Sequence, residues 1–448
     1  MESSEDQAVL RNLAQRVNIG DSLRRTARRT PLKTALIEDD RRLSYEEFNH
    51  YVNRLANGLI DLGAGLGTPI ALMSRNSIEF LVTYYACAKI GAICVPINLL
   101  WREDEVAYVL THGQVEIAVA EGVFLGTILK AAGSSPKCRM VLAIDAVGEL
   151  ELTDEDPMLR SFTRSLSDLT AEPTVLVPND APVSYLYTSG TTSAPKGVVS
   201  SQLAIYLESM GTALDISLSA DDRIGALMPM FHTAQLNGVC TSAIIVGATI
   251  DIMKGFNPAL LLSHVQAERL TLFFGLPMMF RALLEHEAFA RTELSSLRLC
   301  VYAMAPMPAT LLRRCISEFD CDFALLFGQT EMAPVSTIFR PEHQLSHLAA
   351  VGTPGVNTDV AILSEDGREL PPGEIGEICY RSPQLLSEYL RNEAATDEVF
   401  RFGWFHSGDV GRLGDDGMLW FEDRFKDVIK TGGENVASIE VERAIYQA

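Results

Sequence analysis

The stretch YTSGTTSAPKG, Tyr187 to Gly197, gathers five serines and threonines, two glycines and one lysine between two apolar runs. Residues of these types suit a chain of phosphates. Glycine lets backbone N–H groups approach a ligand closely, the hydroxyls add donors, and one ammonium supplies the opposite charge. The stretch is not a GxxxxGK[ST] phosphate loop, because Lys196 precedes Gly197 and no Ser or Thr follows directly. Taken alone, it reads equally as a polar surface turn.

Four further groups of residues offer chemistry. FGQTE, Phe327 to Glu331, follows the apolar run CDFALL; an aromatic ring there can cover a flat base, and Thr330 with Glu331 can face phosphates and Mg²⁺. The alternative is a strand end followed by a helix cap. In HSGDV, Asp409 has the acceptor capacity for both hydroxyls of a ribose, and a Gly-Asp pair is also a common turn. Arg424 adds a charged contact or is a solvated surface charge. His232, in PMFHTAQLNG, is either part of a site or the entry residue of a helix after the run ALMPM. Two other patterns fail. GAGLG, Gly63 to Gly67, follows a helical pattern and precedes a strand, the reverse of a dinucleotide fingerprint, so it reads as a helix stop and turn. His286, between two glutamates in EHEAFA, is assigned to a polar helix face rather than to a metal.

The elements that must hold these residues alternate. RLSYEEFNHYVNRLANGLIDLG has apolar residues at helical spacing, and the short run PIALMS reads as a strand. EFLVTYYACAKIG, AICVPIN, EDEVAYVLTHG and VEIAVAE repeat the theme, and DRIGALMPM, GATIDIM, LTLFFGLP, LRLCVYAM and CDFALLFGQTE continue it as strands. Such alternation predicts an α/β protein of layered, mostly parallel sheets covered by helices. From about Gly352 short strands separated by Gly and Pro turns predict a small β-rich subdomain over about 352–425.

Composition limits the function. A chain of 448 residues, 47% hydrophobic and 21% charged, has enough apolar surface for a large core in two or more domains. Its formal charge of −21 repels nucleic acid and anionic lipid, so a polyanionic ligand must be held locally. The eight cysteines are scattered, with no CxxC pair and no ligand-like spacing to histidine, and are expected to be reduced. MESSEDQAVLRNLAQR is acidic and lacks an apolar core, so no secretory signal is expected, and VCTSAIIVGATIDIM is too short and polar to span a bilayer. A cytoplasmic protein with no membrane span is expected.

Five motifs stand in order over nearly the whole chain: YTSGTTSAPKG, PMFHTAQLNG (Pro229 to Gly238), FGQTE, GWFHSGDVGRL (Gly403 to Leu413) and DRFKDVIKTGGENVASIEVE (Asp423 to Glu442). Together they resemble the adenylate-forming superfamily of acyl-CoA synthetases, peptide-synthetase adenylation domains and luciferases. Ser193 is one departure, standing where glycine is commoner. The resemblance implies ATP and Mg²⁺ as cofactors, with Thr188, Ser189, Gly190, Thr191, Thr192 and Lys196 around the phosphates and Glu331 at the metal. It assigns Thr330 to the phosphates, Phe327, Gly328, Ala305 and Pro306 to the nucleotide, and Asp409 and Arg424 to the ribose. Phe231, Tyr302, Ala303, Met304 and Gly328 fall at the acyl pocket, and His232 at a gate to the thiol channel. YAMAPMP, Tyr302 to Pro308, is usually richer in glycine, so Ala303 and Met304 should reshape that pocket.

The implied reaction is activation of a carboxylic acid to an acyl-adenylate, followed by transfer to CoA. Amino-acid-activating relatives carry an aspartate directly after the Phe to pair with the substrate ammonium; here His232 stands there. A fatty, aryl or polycyclic acid without an α-amino group is expected. The alternatives are transfer to a carrier-protein phosphopantetheine or an amine, and a nucleotide-binding module without chemistry. Residues 1–426 are expected to form the large adenylation domain, Lys426 the hinge, and 427–448 a fragment of the mobile C-terminal domain. Relatives carry a further catalytic lysine beyond that point, so impaired turnover is expected of this chain.

Overall fold

The computed structural model describes residues 4–144, 158–188, 195–303, 307–424, 429–431 and 434–436. Two large sheets dominate them. The first runs from Asp359–Leu363 through Gly376–Arg381, Trp404–Leu413, Leu419–Arg424, Ala350–Pro354, Val335–Phe339, Asp322–Gly328, Leu299–Tyr302, Leu272–Gly275, Arg223–Ala226, Thr249–Ile252 and Thr34–Glu38 to Arg41–Ser44. Its middle, from Asp322–Gly328 to Thr34–Glu38, is parallel. From Val335–Phe339 onward every pairing is antiparallel, and these strands continue the same sheet. The second sheet runs Glu388–Tyr389, Lys196–Ser201, Pro182–Thr188, Ile93–Pro96, Pro69–Met73, Ile117–Glu121, Met140–Ile144, Leu159–Ser161, and is parallel from Pro182–Thr188 onward.

Helices fill the space around them. Ile78–Ile90 is mostly apolar and all its residues are buried, its two charges paired as Glu79–Arg41 and Lys89–Glu172. It touches Thr34–Glu38 of the first sheet and Ile93–Pro96 of the second, which is why apolar residues surround it. Ser77 caps its start through the Phe80 amide, and left-handed Gly91 ends it. Tyr45–Asp61 begins with a reciprocal capping box between Ser44 and Glu47. GAGLG joins that helix to the strand Pro69–Met73, as expected of a stop and turn. Among the described residues no helix is long and apolar enough to cross a membrane.

Three local expectations need correction. The apolar run DRIGALMPM forms a strand only over Arg223–Ala226. Beyond it the Asn76 side chain donates to Met228 O (2.9 Å) and accepts from the Met230 amide (2.8 Å), replacing a neighbouring strand and turning the chain out of the sheet. Second, His286 is not on a helix face. Helix Pro277–Glu285 stops before it, and its Nδ1 accepts from the Ala288 amide in the turn that follows. Third, a cysteine and a histidine with no ligand-like spacing in the sequence are brought together by sheet register. Cys379 and His406 are register partners, and with Glu377 their ligand atoms lie within 4.8 Å of one another.

Candidate functional site

The hydroxyl-rich loop is the tip of an antiparallel hairpin, whose last register pair sets Thr188 opposite Lys196. Apolar side chains anchor the hairpin: Val183, Val198 and Val199 are buried, and Leu186 nearly so. An aromatic group braces its stem. His112 Nδ1 bonds the Tyr187 hydroxyl at 2.8 Å, Tyr108 stacks on His112, and the Tyr108 hydroxyl donates to Pro195 O at 3.2 Å. Gly197 permits this closeness, because a Cβ there would lie 3.2 Å from both Leu390 Cβ and Tyr187 Cζ. Residues Ser189, Gly190, Thr191, Thr192 and Ser193 lie outside the described residues.

FGQTE stands where three parallel strands end, at Gly275, Tyr302 and Gly328. Ligands gather at the carboxyl ends of strands in such sheets. After Gly328 the chain makes a single turn of 3-10 helix, Thr330–Met332, before returning as Val335–Phe339. Only glycine fits at 328: a Cβ would meet Pro334 O at 2.0 Å and the Ser336 amide nitrogen at 2.8 Å. Phe327 has its ring 5.7 Å from that of Phe421, on the strand that also carries Arg424.

PMFHTAQLNG reaches the same place by a polar chain through the core. The Tyr84 hydroxyl donates to Asn237 Oδ1 (2.8 Å), Asn237 Nδ2 to Thr233 Oγ1 (2.9 Å), and Thr233 Oγ1 to Ala333 O (3.1 Å). Phe231 and His232 precede Thr233, their rings 4.4 Å apart. His232 is exposed, and partial desolvation by the surrounding protein lowers its pKa below the ordinary imidazole value. Tyr302 is held by a 2.8 Å bond to Gln344 Oε1, and Ala303 beside it is buried. Met304, Ala305 and Pro306 lie outside the described residues.

Asp409 is 7% exposed on Trp404–Leu413, and its amide donates to Ser407 Oγ at 3.0 Å. Sheet register sets it opposite Arg424, which is described here by its backbone alone. Lys426 lies outside the described residues. Beneath Asp409, His406 Nδ1 meets Glu377 at 2.6 Å and Cys379 Sγ at 3.6 Å, while Nε2 faces Arg401 O at 3.2 Å. Both ring nitrogens are thus engaged within the protein. This cluster ties Trp404–Leu413 to Gly376–Arg381.

One residue missed by the sequence reading joins the motifs. Tyr389 donates its hydroxyl to Glu331 Oε1 at 2.8 Å, and the Lys196 ammonium sits 4.7 Å from the centre of its ring. Its segment is stitched to both partners: the Leu386 amide donates to Glu331 O, and the amides of Ser387 and Leu390 to Val199 O and Gly197 O, each at 2.8 Å. Arg391 Nη1 reaches His112 O at 2.8 Å. No motif marked this tyrosine, because its role arises from a strand of two residues paired with the hairpin.

Comparison with known proteins shows the family. The model of the AMP-binding enzyme family matches residues 23–390. Feruloyl-CoA synthase of an Amycolatopsis species is 33% identical over 422 residues, which is 94% of this chain and 82% of that protein. The long-chain fatty acid–CoA ligase FadD13 of Mycobacterium tuberculosis is 32% identical over 432 residues, 96% of this chain and 83% of the relative. Among solved structures, the anthranilate CoA ligase AuaEII in complex with anthranoyl-AMP superposes with a TM-score of 0.87 at 26% identity, over 97% of this chain and 83% of that one. The family match over residues 23–390 and relatives 32–33% identical over most of the chain show that the chain belongs to the AMP-binding enzymes, in the acyl-CoA synthetase branch of the adenylate-forming superfamily.

Proposed function

We propose that this chain uses ATP to convert a carboxylic acid without an α-amino group, of the fatty, aryl or polycyclic kind, to its acyl-adenylate and then to the CoA thioester. The observation that carries this reading is the convergence of Lys196 and Glu331, from two sheets, on the single side chain of Tyr389. A cation and a carboxylate held a fixed way apart, where parallel strands end, suit a phosphate chain and its metal.

In the reaction, a carboxylate oxygen attacks the α-phosphorus of ATP and pyrophosphate leaves. The mixed anhydride then offers the acyl carbon a good leaving group, AMP, when the CoA thiol attacks. Lys196, Thr188 and the loop 189–192 neutralise and orient the phosphates, with Thr330 beside them. Glu331 suits Mg²⁺: it is a hard oxygen ligand, and the Tyr389 hydroxyl occupies only Oε1. Bound there, the metal would supply charge neutralisation. Phe327, Gly328, Ala305 and Pro306 hold the adenine side, and Asp409 with Arg424 the ribose. Phe231, Tyr302, Ala303 and Met304 shape the acyl pocket. His232 gates the thiol path as a neutral imidazole, since its pKa is lowered. With His232 following Phe231, that position offers no carboxylate to a substrate ammonium, which supports an acid without an α-amino group.

The test is an ATP-dependent pyrophosphate-release screen over fatty, aryl, polycyclic and amino acids, followed by thioester assay with CoA and with a holo-carrier protein. Release with a non-amino acid and thioester formed on CoA are expected. Release with amino acids alone contradicts the substrate class, and transfer only to the carrier contradicts the acceptor.

A further inference from the structure

Tyr389 is 6% exposed and fixed on every side. Its backbone pairs with Val198, its amide donates to Thr396 Oγ1 at 3.0 Å, and Leu386 and Leu390 flank it with bonds to Glu331 O and Gly197 O. The side chain has one direction left, and it presents two functions there. Its face lies under the Lys196 ammonium and its hydroxyl holds one oxygen of Glu331.

An ammonium and a carboxylate drawn into one site attract each other, and a direct pair would have to be broken before phosphate and cation could enter. An aromatic spacer avoids that. The ring face attracts the ammonium without neutralising it, and the hydroxyl fixes the carboxylate without consuming its charge. We propose that Tyr389 is a positioning residue that presets Lys196 and Glu331, holding them apart so that Lys196 receives phosphate oxygens and Glu331 receives the divalent cation of MgATP. This inference rests on the ATP-binding reading given above.

The two functions separate by substitution. Tyr389→Phe keeps the ring under Lys196 and deletes the hydroxyl; Tyr389→Leu deletes both. Calorimetry with ATP is run on the parent, both variants and Glu331→Gln, in excess MgCl₂ and in EDTA, with melting curves for each protein. Tyr389→Phe is expected to leave ATP affinity in EDTA unchanged and to weaken the gain on adding Mg²⁺ by about tenfold, the loss expected when one bond to a charged group is removed. It should approach Glu331→Gln in this respect. Tyr389→Leu should weaken binding in EDTA as well. A Tyr389→Phe protein that melts like the parent and gains as much affinity from Mg²⁺ overturns the proposal. Equal losses with and without Mg²⁺ overturn it too, since they mark a merely structural role. If the parent binds no ATP under either condition, the ATP-binding reading itself fails, a result distinct from both.

Discussion

Asp409 has one carboxylate, one sheet position and one expected partner, so its substitution is the sharpest probe at the scale of a residue. It is almost wholly buried, opposite Arg424 in register. Asp409→Ala is predicted to weaken ATP and an acyl-adenylate mimic alike, since both carry the same ribose, by about 1.5 to 3 kcal/mol. Calorimetry with each ligand measures this, and unequal losses would remove the assignment. Lys196→Ala should lower kcat more than it weakens the acid, because its ammonium meets charge that develops on the phosphates; steady-state kinetics separate the two. Gly328→Ala should disrupt the turn into Thr330–Met332, since its Cβ would overlap Pro334 O. Its melting temperature should fall and its ATP binding be lost together. Lys196, Glu331 and Asp409 stand out as candidates in the sequence because each sits in a short contiguous motif, and the structure brings the first two to Tyr389. Tyr389, His112 and Arg391 were not: their contacts reach to other strands and helices, and their local sequence has no distinguishing composition.

At the scale of elements, helix Gln202–Asp215 follows the phosphate hairpin and buries a carboxyl, Glu208, against the strand Val335–Phe339 that returns from FGQTE. Burial pushes its pKa up to about 8, against bonds from Thr212, Ser209 and the Val335 amide. The folded protein thus keeps a proton there that the unfolded chain, with an ordinary carboxyl pKa near 4.5, has released. Between those values the native state binds more protons, so stability from this group is full below about pH 4.5 and falls as pH rises to about 8. Glu208→Gln mimics the protonated form. Urea titrations from pH 5 to 8 should show a stability loss with rising pH that is smaller in the variant, by up to about 1.4 kcal/mol per pH unit. An identical slope in both proteins would contradict the assignment. The parallel strands were legible because each is a short apolar run between helical patterns. The end of Arg223–Ala226 was not, because Asn76, from another part of the chain, turns the following residues out of the sheet.

At the scale of the whole molecule, a formal charge of −21 surrounds a site that must take a polyanion. If local cations and backbone donors carry recognition, raising salt should weaken nucleotide binding less than it would for a protein that relies on a basic surface. The molecule's account joins motifs from two sheets into one nucleotide site, so a ligand bridging them should stabilise the fold as a unit by mass action. The most direct measurement is calorimetric and thermal-melting titration with a non-hydrolysable acyl-adenylate mimic, on the parent chain and on Asp409→Ala. The account predicts saturable one-to-one binding and a melting temperature that rises with ligand concentration in the parent, both strongly weakened in the variant. A parent chain that neither binds the mimic nor gains stability from it, while fully folded, would contradict the account.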